Sequence, residues 1–226
     1  MLASTARGWP PTRYLADGVA FVVTSMTARH HAEVAYGEEL VARTWMRDFR
    51  RGILSKRQVE LWRGATLVAE CTQQWAHVDA SMRPSRAALA LSEAFPRDDT
   101  RTPVVALEPV DTPFEGATHS FRFTAWQTAM DPLGHANHPD YLAWCDEGLA
   151  RAAVSAGQDP HALRPVSERV SFKGGVLAGN VVTVETRMVG RTAGGDSVLR
   201  QDVCSDVGGA FAKATTVRAG DLSQLF

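Results

Sequence analysis

The stretch Met130-Asp131-Pro132-Leu133-Gly134-His135-Ala136-Asn137-His138-Pro139-Asp140-Tyr141 decides the fold, because a turn-forming segment here leads directly into a helix. Pro139 suits the first turn of a helix, where its missing N–H costs nothing, so Asn137 or His138 falls near the N-cap. Apolar and small residues then recur at helical spacing until Gly157: Leu142, Cys145, Leu149, Ala152, Ala153 and Ala156. The pattern predicts a helix over about 139–156 with one buried face.

A lone carboxylate, Asp131, stands just before this predicted helix. The pattern Asp-x-x-Gly-His-x-Asn-x-x-x-Tyr, over Asp131 to Tyr141, resembles the 4-hydroxybenzoyl-CoA thioesterase-like branch of the hotdog-fold thioesterases. The resemblance implies an α+β fold in which a curved antiparallel sheet wraps a central helix. It also implies hydrolysis of an acyl thioester with no cofactor.

The resemblance assigns roles to the residues of the motif. Asp131 is then the catalytic nucleophile or general base, while His135 and Asn137 hold the catalytic loop. Gly134 and Tyr141 would contribute to substrate binding. Unpaired N–H groups at the helix start, together with the helix dipole, would stabilise the oxyanion.

Each of these residues also has a purely structural interpretation. Asp131 and Asn137 are residue types that cap helices, His135 could bond to the backbone of the turn, and Tyr141 could belong to the core. Because Gly134, His135, Asn137 and Tyr141 keep the family spacing, we favour the functional interpretation for Asp131.

An internal repeat organises the chain. Residues 35–46 resemble residues 177–188, with Gly37 on Gly179 and Met46 on Met188. Further along, the alternating segments Leu67 to Cys71 and Ala212 to Thr216 predict half-buried antiparallel strands. Tyr14-Leu15-Ala16 also echoes Tyr141-Leu142-Ala143. The repeat predicts two hotdog units in tandem.

The two predicted units differ in content. Residues 1–80 form an N-terminal unit without the catalytic motif, and residues 117–226 form a C-terminal unit that carries it. Between them, the proline-rich segment 81–116 is expected to be a linker with a short helix within 85–95. We expect roughly residues 25–79 to superpose on roughly 166–218, each sheet being antiparallel.

Composition narrows the function. The chain of 226 residues is 45% hydrophobic and 22% charged, with a formal charge of −1, which gives no reason to expect nucleic-acid binding. No apolar run approaches the roughly 18 residues of a membrane span, and no signal peptide is expected, because a basic start followed by a clean apolar region and a small-residue cleavage site is not found. Three widely spaced cysteines predict reduced thiols and a cytoplasmic location. A homodimer or higher homo-oligomer stays open.

A basic run in the N-terminal unit is the candidate for recognising the carrier. It comprises Arg47, Arg50, Arg51, Lys56 and Arg57 at a predicted hairpin, where a solvated turn is the default interpretation. The alternative is that Arg50 and Arg51 bind the phosphates of coenzyme A or the surface of an acyl carrier protein.

Other chemistries find little support. His135, His138 and Asp140 could suggest zinc, but Pro139 and the helix start would aim them apart, so no metal is expected. Some hotdog branches carry a helical carboxylate as nucleophile or base, but Asp146 and Glu147 are expected to be a solvated or linker-facing pair. The P-loop, the dinucleotide-binding glycine motif and the serine hydrolase elbow are all missing from the sequence.

The sequence therefore predicts an acyl thioesterase acting on acyl-CoA or, with less support, on an acyl carrier protein thioester. Plant-type carrier-protein thioesterases have an Asn-x-His element at this loop, and Leu133 replaces that asparagine here. Two other classes stay open: a hotdog hydratase or dehydratase acting on enoyl or hydroxyacyl thioesters, and a non-catalytic acyl-thioester-binding protein.

Overall fold

The computed structural model describes residues 2–98 and 105–226. The chain divides into two compact units, Met1–Ala106 and Leu107–Phe226, which we call unit 1 and unit 2. Residues 99–104, which belong to the predicted linker, lie outside the described residues. No helix in the described ranges is long and apolar enough to cross a membrane.

Unit 1 is a four-stranded antiparallel sheet with short helices. Its helices are α1 (Leu2–Thr5), α2 (Pro11–Ala16) and α3 (Leu89–Ala94). Its strands are β1 (Val19–His30), β2 (Val41–Arg50), β3 (Leu54–Arg63) and β4 (Thr66–Asp79). They lie in the order β2-β3-β4-β1, and every pair is antiparallel.

Unit 2 combines a sheet with one long helix. Its elements are β5 (Thr112–Pro113), β6 (His119–Thr124), α4 (His138–Ser155), β7 (Pro165–Phe172), β8 (Val181–Arg191), β9 (Ser197–Ser205) and β10 (Ala210–Arg218). The order is β7-β10-β9-β8, and both β5 and β6 pair with β8. Short 3₁₀ turns span Gln127–Ala129, Pro160–Ala162 and Ser223–Leu225.

The predicted helix is confirmed as α4, which packs one face on the sheet. Leu149 and Ala153 are buried against Met188 and Leu199 in the core of the unit. Gly148 lets the helix approach closely, since a Cβ there would already touch Val184 at 3.5 Å. We call the side of the sheet that contacts α4 the inner face and the opposite side the outer face.

Polar groups also join α4 to the inner face. Gln201 of β9 donates from Nε2 to the carbonyl of Cys145 at 2.7 Å and accepts from the hydroxyl of Thr216 at 2.9 Å. At the end of β10, the buried Arg218 donates to Glu168 at 2.9 Å and also to Asp146 of the helix. Asp146 is therefore not simply solvated, as the sequence suggested, because the buried guanidinium holds its carboxylate.

The two sheets repeat one another in strand order, since β1 to β4 follow the same sequence of neighbours as β7 to β10. Strand pairing makes the equivalence specific: Met46 lies opposite Arg57, and its counterpart Met188 lies opposite Leu199. Arg57 therefore occupies the inner-face position that Leu199 occupies in unit 2. The next residues along, Gln58 and Arg200, are outer-face counterparts.

The expectation of a central helix in each unit needs correction for unit 1. Two six-residue helices, α2 and α3, pack on its inner face, where Trp9 and Tyr14 join a cluster with Phe21 and Phe49. The helix before α2, α1, has only four residues. The described part of unit 1 therefore has no helix comparable to the 18-residue α4.

The predicted linker packs on both units where it is described. The expected short helix is α3, and Leu91 within it is buried against the inner cluster of unit 1. Asp98 then donates from its backbone to the Met46 carbonyl at 2.8 Å. Val105 N–H donates to Thr72 at 3.0 Å, and Ala106 accepts from Arg29 at 3.2 Å, both on the outer face of unit 1.

Candidate active site

The motif loop of unit 2 is closed by a small antiparallel bridge between Met130 and Ala136. Asp131 N–H donates to the His135 carbonyl at 2.7 Å, and Asn137 N–H donates to the Ala129 carbonyl at 2.8 Å. Ala136 N–H donates outward to the Val176 carbonyl at 2.8 Å. These bonds fix the loop at the start of α4.

The Asp131 carboxylate is half-buried at the first corner of this loop. Its Oδ1 accepts from Leu133 N–H at 2.8 Å, and its carbonyl accepts from Gly134 N–H at 2.9 Å. Gly134 has φ of +78°, a left-handed conformation that favours glycine. The described residues provide no hydrogen-bond donor to Oδ2, so that oxygen is available for chemistry.

His138 and Tyr141 are close enough to Asp131 to respond to its charge. Burial lowers the pKa of His138, and the negative charge of Asp131 partly offsets this. Burial likewise raises the pKa of the Tyr141 hydroxyl, with a further contribution from Asp131. From the sequence, His138 was placed near the helix N-cap and among possible metal ligands, and the position of His138 close to the Asp131 carboxylate was not predicted.

Tyr141 supports the loop through hydrogen bonds to the 174–176 segment. Its side chain is 2% exposed, its hydroxyl donates to the Gly174 carbonyl at 3.2 Å, and the same oxygen accepts from Val176 N–H at 3.0 Å. Because Val176 in turn accepts from Ala136, the tyrosine connects the helix, the 174–176 segment and the catalytic loop. Its hydrogen-bonding capacity is used within the protein.

His135 is positioned by close packing on Gly175. A Cβ built at Gly175 would lie 2.2 Å from Cδ2 of the His135 ring, which no real side chain tolerates. Gly175 is thus required for the observed position of the imidazole. Gly175 was not singled out from the sequence, because the sequence does not show that it lies against His135.

Asn137 occupies the N-cap position of α4, but its exposed side chain makes no capping hydrogen bond. The helix start also offers fewer free amides than the sequence suggested. Pro139 has no N–H, and Asp140 N–H donates to the Asn137 carbonyl at 2.9 Å. By contrast, the backbone N–H of His135 donates to none of the described residues.

The basic run of unit 1 is not one cluster. Arg50 and Arg51 are exposed at the turn between β2 and β3, where Arg51 has φ of +54°. Arg57 instead lies on the inner face, with its guanidinium 5.5 Å from the Trp75 ring, and burial lowers its pKa. Lys56 faces Asp48 across the strands. The expectation that Arg57 joins the turn arginines is therefore wrong.

The described residues contain no group of three His, Cys, Asp or Glu side chains able to hold a metal ion. All three cysteines are free, and burial raises the pKa of Cys71 to about 12. A thiolate nucleophile at Cys71 is thereby disfavoured.

A family model described as the thioesterase superfamily matches residues 133–194, a segment that begins after Asp131. No curated protein matches the chain. A solved structure named as an oleoyl thioesterase from Lactobacillus plantarum is similar, with a TM-score of 0.76 at 17% identity over 96% of this chain and 82% of its own.

Two further structures show the same likeness. An acyl-ACP thioesterase from Bacteroides thetaiotaomicron gives a TM-score of 0.71 at 12% identity, covering 95% of this chain and 83% of its own. A 12:0-ACP thioesterase from Umbellularia californica gives 0.70 at 14% identity, covering 93% and 76%. Likenesses over nearly the whole chain establish the tandem hotdog fold.

Proposed function

Because a thioesterase-superfamily segment on a tandem hotdog fold indicates a thioester hydrolase, we propose that this protein hydrolyses acyl-CoA at the Asp131 loop of unit 2. The observation that carries the proposal is the Asp131 carboxylate, which is oriented through Oδ1 by Leu133 N–H while Oδ2 receives no donor from the described residues. An oriented carboxylate with one unused oxygen can act as a nucleophile or a general base.

In the first step, Oδ2 of Asp131 attacks the thioester carbonyl or removes a proton from a water that does so. Attack forms an anhydride and expels the thiolate, and a water then cleaves the anhydride. In the general-base route, the tetrahedral intermediate collapses directly to the free acid and the thiol. The same residue serves both routes.

The developing oxyanion needs a hydrogen-bond donor. We propose the backbone N–H of His135, because it donates to none of the described residues and lies in the bridged loop. The positive end of the α4 dipole adds to its effect. His135 is held in place by Gly175, and Asn137 presents an exposed amide at the same helix start.

Exposed apolar side chains in this part of unit 2 suit an acyl group. Trp126, Leu133 and Leu177 are 54%, 45% and 48% exposed. Trp126 stacks on Phe123 at 5.1 Å between ring centroids, which fixes the indole beside the loop. Gly134 shapes the turn over which the thioester passes.

Exchange of Asp131 tests the proposal. Asp131→Asn should lower thiol release from a panel of acyl-CoA substrates by about two to four orders of magnitude, since the isosteric amide can neither attack nor remove a proton. Asp140→Asn is the matched control, because Asp140 is a second half-buried carboxylate that follows Asp131 by nine residues.

The control should keep activity within about threefold of the wild type. Equal activity of Asp131→Asn and the wild type would refute the assignment. Product analysis on crotonyl-CoA separates the alternatives, since a hydratase forms a hydroxyacyl thioester and releases no thiol.

We propose that the acyl group is carried by coenzyme A and that Arg50 and Arg51 bind the phosphates of this carrier. Their exposed guanidinium groups suit phosphate oxygens. Leu133 at the position of the carrier-protein thioesterases' asparagine favours this choice. Replacing both arginines by Ala should raise KM for acyl-CoA with little change in kcat, because such contacts are equal in ground and transition states.

The same pair of substitutions should leave KM for a short pantetheine thioester unchanged, and Arg122→Ala on β6 serves as a surface control. An equal KM rise for both substrates would show that the arginines do not read the phosphates. Acyl carrier protein thioesters are the third class of substrate to be assayed. A higher kcat/KM for them than for acyl-CoA would overturn the choice of coenzyme A.

We also propose a reducing, cytoplasmic setting, which the three free cysteines support. A homodimer or higher homo-oligomer is part of the same proposal. Sedimentation of the purified protein tests the assembly, and thiol titration of protein isolated under alkylating conditions tests the redox setting.

A further inference from the structure

The outer face of the unit 2 sheet carries a strongly basic cavity of about 330 Å³. Its charged lining residues are Arg169, Arg187, Arg200, Lys213 and Asp202. The hydroxyl of Thr215 also lines it. Four cations against one carboxylate give this cavity a net positive charge that the chain as a whole, at −1, does not have.

Strand register places the arginines in one row across the sheet. Thr215 lies opposite both Arg169 and Arg200, and Arg200 lies directly opposite Arg187. Neighbouring strands are about 4.8 Å apart, and like charges directly opposite one another destabilise a sheet. Folding alone therefore does not favour the facing pair Arg187 and Arg200, and an anionic ligand would compensate its charge.

Asp202 adds a hydrogen-bond acceptor within the basic surroundings. One oxygen of its carboxylate is buried and accepts no hydrogen bond in the described parts of the chain. A buried acceptor without a donor is unfavourable, so a ligand that brings an O–H or N–H group would stabilise it. A simple inorganic anion at neutral pH brings few such donors.

The equivalent face of unit 1 is occupied by the protein itself. There, Val105 and Ala106 cross the outer face, and Arg29 donates to the Ala106 carbonyl. Gln58, the counterpart of Arg200, is completely buried, whereas Arg200 is exposed. The described residues thus cover the outer face of the unit 1 sheet and leave Arg200, on the corresponding face of unit 2, exposed.

We propose that this outer cavity binds a nucleotide-sized phosphorylated ligand at a site separate from the thioester site. The arginines would receive phosphate oxygens, which match guanidinium groups in bidentate geometry, and Asp202 would accept from a ribose hydroxyl or a base amino group. The cavity volume lies at the lower end of about 300–1,000 Å³ for small-molecule sites.

The sheet separates this site from the catalytic loop. On β7, the Phe172 ring contacts Tyr141 on the inner side, while its neighbour Ser171 lines the outer cavity. Successive residues of a strand point to opposite faces, so a ligand in the outer cavity does not touch the reacting thioester. The proposal is therefore independent of the proposed hydrolysis.

Calorimetric titration with adenosine 3′,5′-bisphosphate tests the site without an activity readout. We expect a saturable isotherm for the wild type that weakens as ionic strength rises. Combined Arg187→Gln and Arg200→Gln should weaken binding at least about tenfold, because two charge-assisted contacts are lost. Arg122→Gln, on the exposed strand β6, should bind as the wild type does.

Folding of the double variant is checked by its unfolding midpoint, which should stay level or rise because a like-charge pair is removed. Lack of binding by the wild type, or equal weakening by Arg122→Gln, would overturn the proposal. Inorganic phosphate and adenosine form two further arms: phosphate binding as tightly as the bisphosphate would reduce the site to an inorganic anion site and refute the nucleotide assignment.

Discussion

The two sheets share a strand order, but their inner faces pack against helices of different length. In unit 2 the inner face holds an 18-residue helix through apolar contacts, through Gln201 and through Arg218. In unit 1 the same face holds two six-residue helices and carries an arginine where unit 2 has Leu199. A repeated sheet therefore does not impose a repeated inner face, because the sheet of unit 2 packs against a long helix that unit 1 lacks in its described part.

The charged anchor of α4 offers the largest test of this contrast. Arg218→Leu should destabilise unit 2 by about 3–5 kcal/mol, because Glu168 is left buried without its cation. The described part of unit 1 lacks this ion pair, since Met26 of β1 stands where Glu168 stands in β7. Denaturant unfolding with hydrogen exchange should localise the loss to unit 2.

Arg151→Leu is the matched control, because Arg151 is exposed on the same helix, where it pairs with Glu147 and lies over the Phe121 ring at 4.4 Å. Its effect should stay within about 1 kcal/mol. Adding Glu168→Leu to Arg218→Leu should recover much of the stability. Protection losses of similar size in both units would contradict the separate roles of the two inner faces.

Tyr14 and Tyr141, which begin the matching Tyr-Leu-Ala sequences, give a smaller test of the difference between the two inner faces. Tyr141→Phe should cost about 1–3 kcal/mol, because Val176 N–H loses its acceptor in a buried site. Since the 174–176 segment also supports His135 and Ala136, kcat for thioester hydrolysis should fall by about tenfold while KM changes little. Stopped-flow thiol detection measures both constants.

Tyr14→Phe in unit 1 is the counterpart, because Tyr14 packs with Trp9 at 5.5 Å but supports no catalytic loop. It should leave kcat unchanged. A similar fall in kcat for both variants would mean that the two inner faces are not functionally distinct.

The smallest effect concerns the arginine on the inner face of unit 1. Arg57→Leu should leave stability unchanged or raise it by about 1 kcal/mol, because no carboxylate of the described residues pairs with this partly desolvated guanidinium. Thermal unfolding measures the change, and Arg50→Leu at the exposed turn is the control. A loss above about 1 kcal/mol would show that packing on Trp75 is essential.

Short-range patterns predicted most of the fold. The expected helix over 139–156 is α4 at His138–Ser155, and the expected strand segments Leu67 to Cys71 and Ala212 to Thr216 lie in β4 and β10. Both kinds of element follow from hydrophobic periodicity, which neighbouring residues determine. Gly37 and Gly179 likewise mark equivalent turns, each with positive φ.

The features that the sequence did not predict arise from register and tertiary packing. A bulge between Met46 and Asp48 interrupts the alternation of β2, so simple spacing could not place Arg57 on the inner face. Gly175 lies forty residues from His135 in sequence, and only the folded chain brings the two together. The position of His138 beside Asp131 depends equally on the closed loop.

The packing of Val105 and Ala106 on the outer face of unit 1 determines where the chain can be cut to give a stable fragment. Because Thr72 and Arg29 hold these residues, a fragment that stops at residue 80 would expose the outer face around the fully buried Gln58. A fragment that continues through Ala106 keeps its own cover. During synthesis on the ribosome, unit 1 accordingly completes its surface only after this segment has left the exit tunnel.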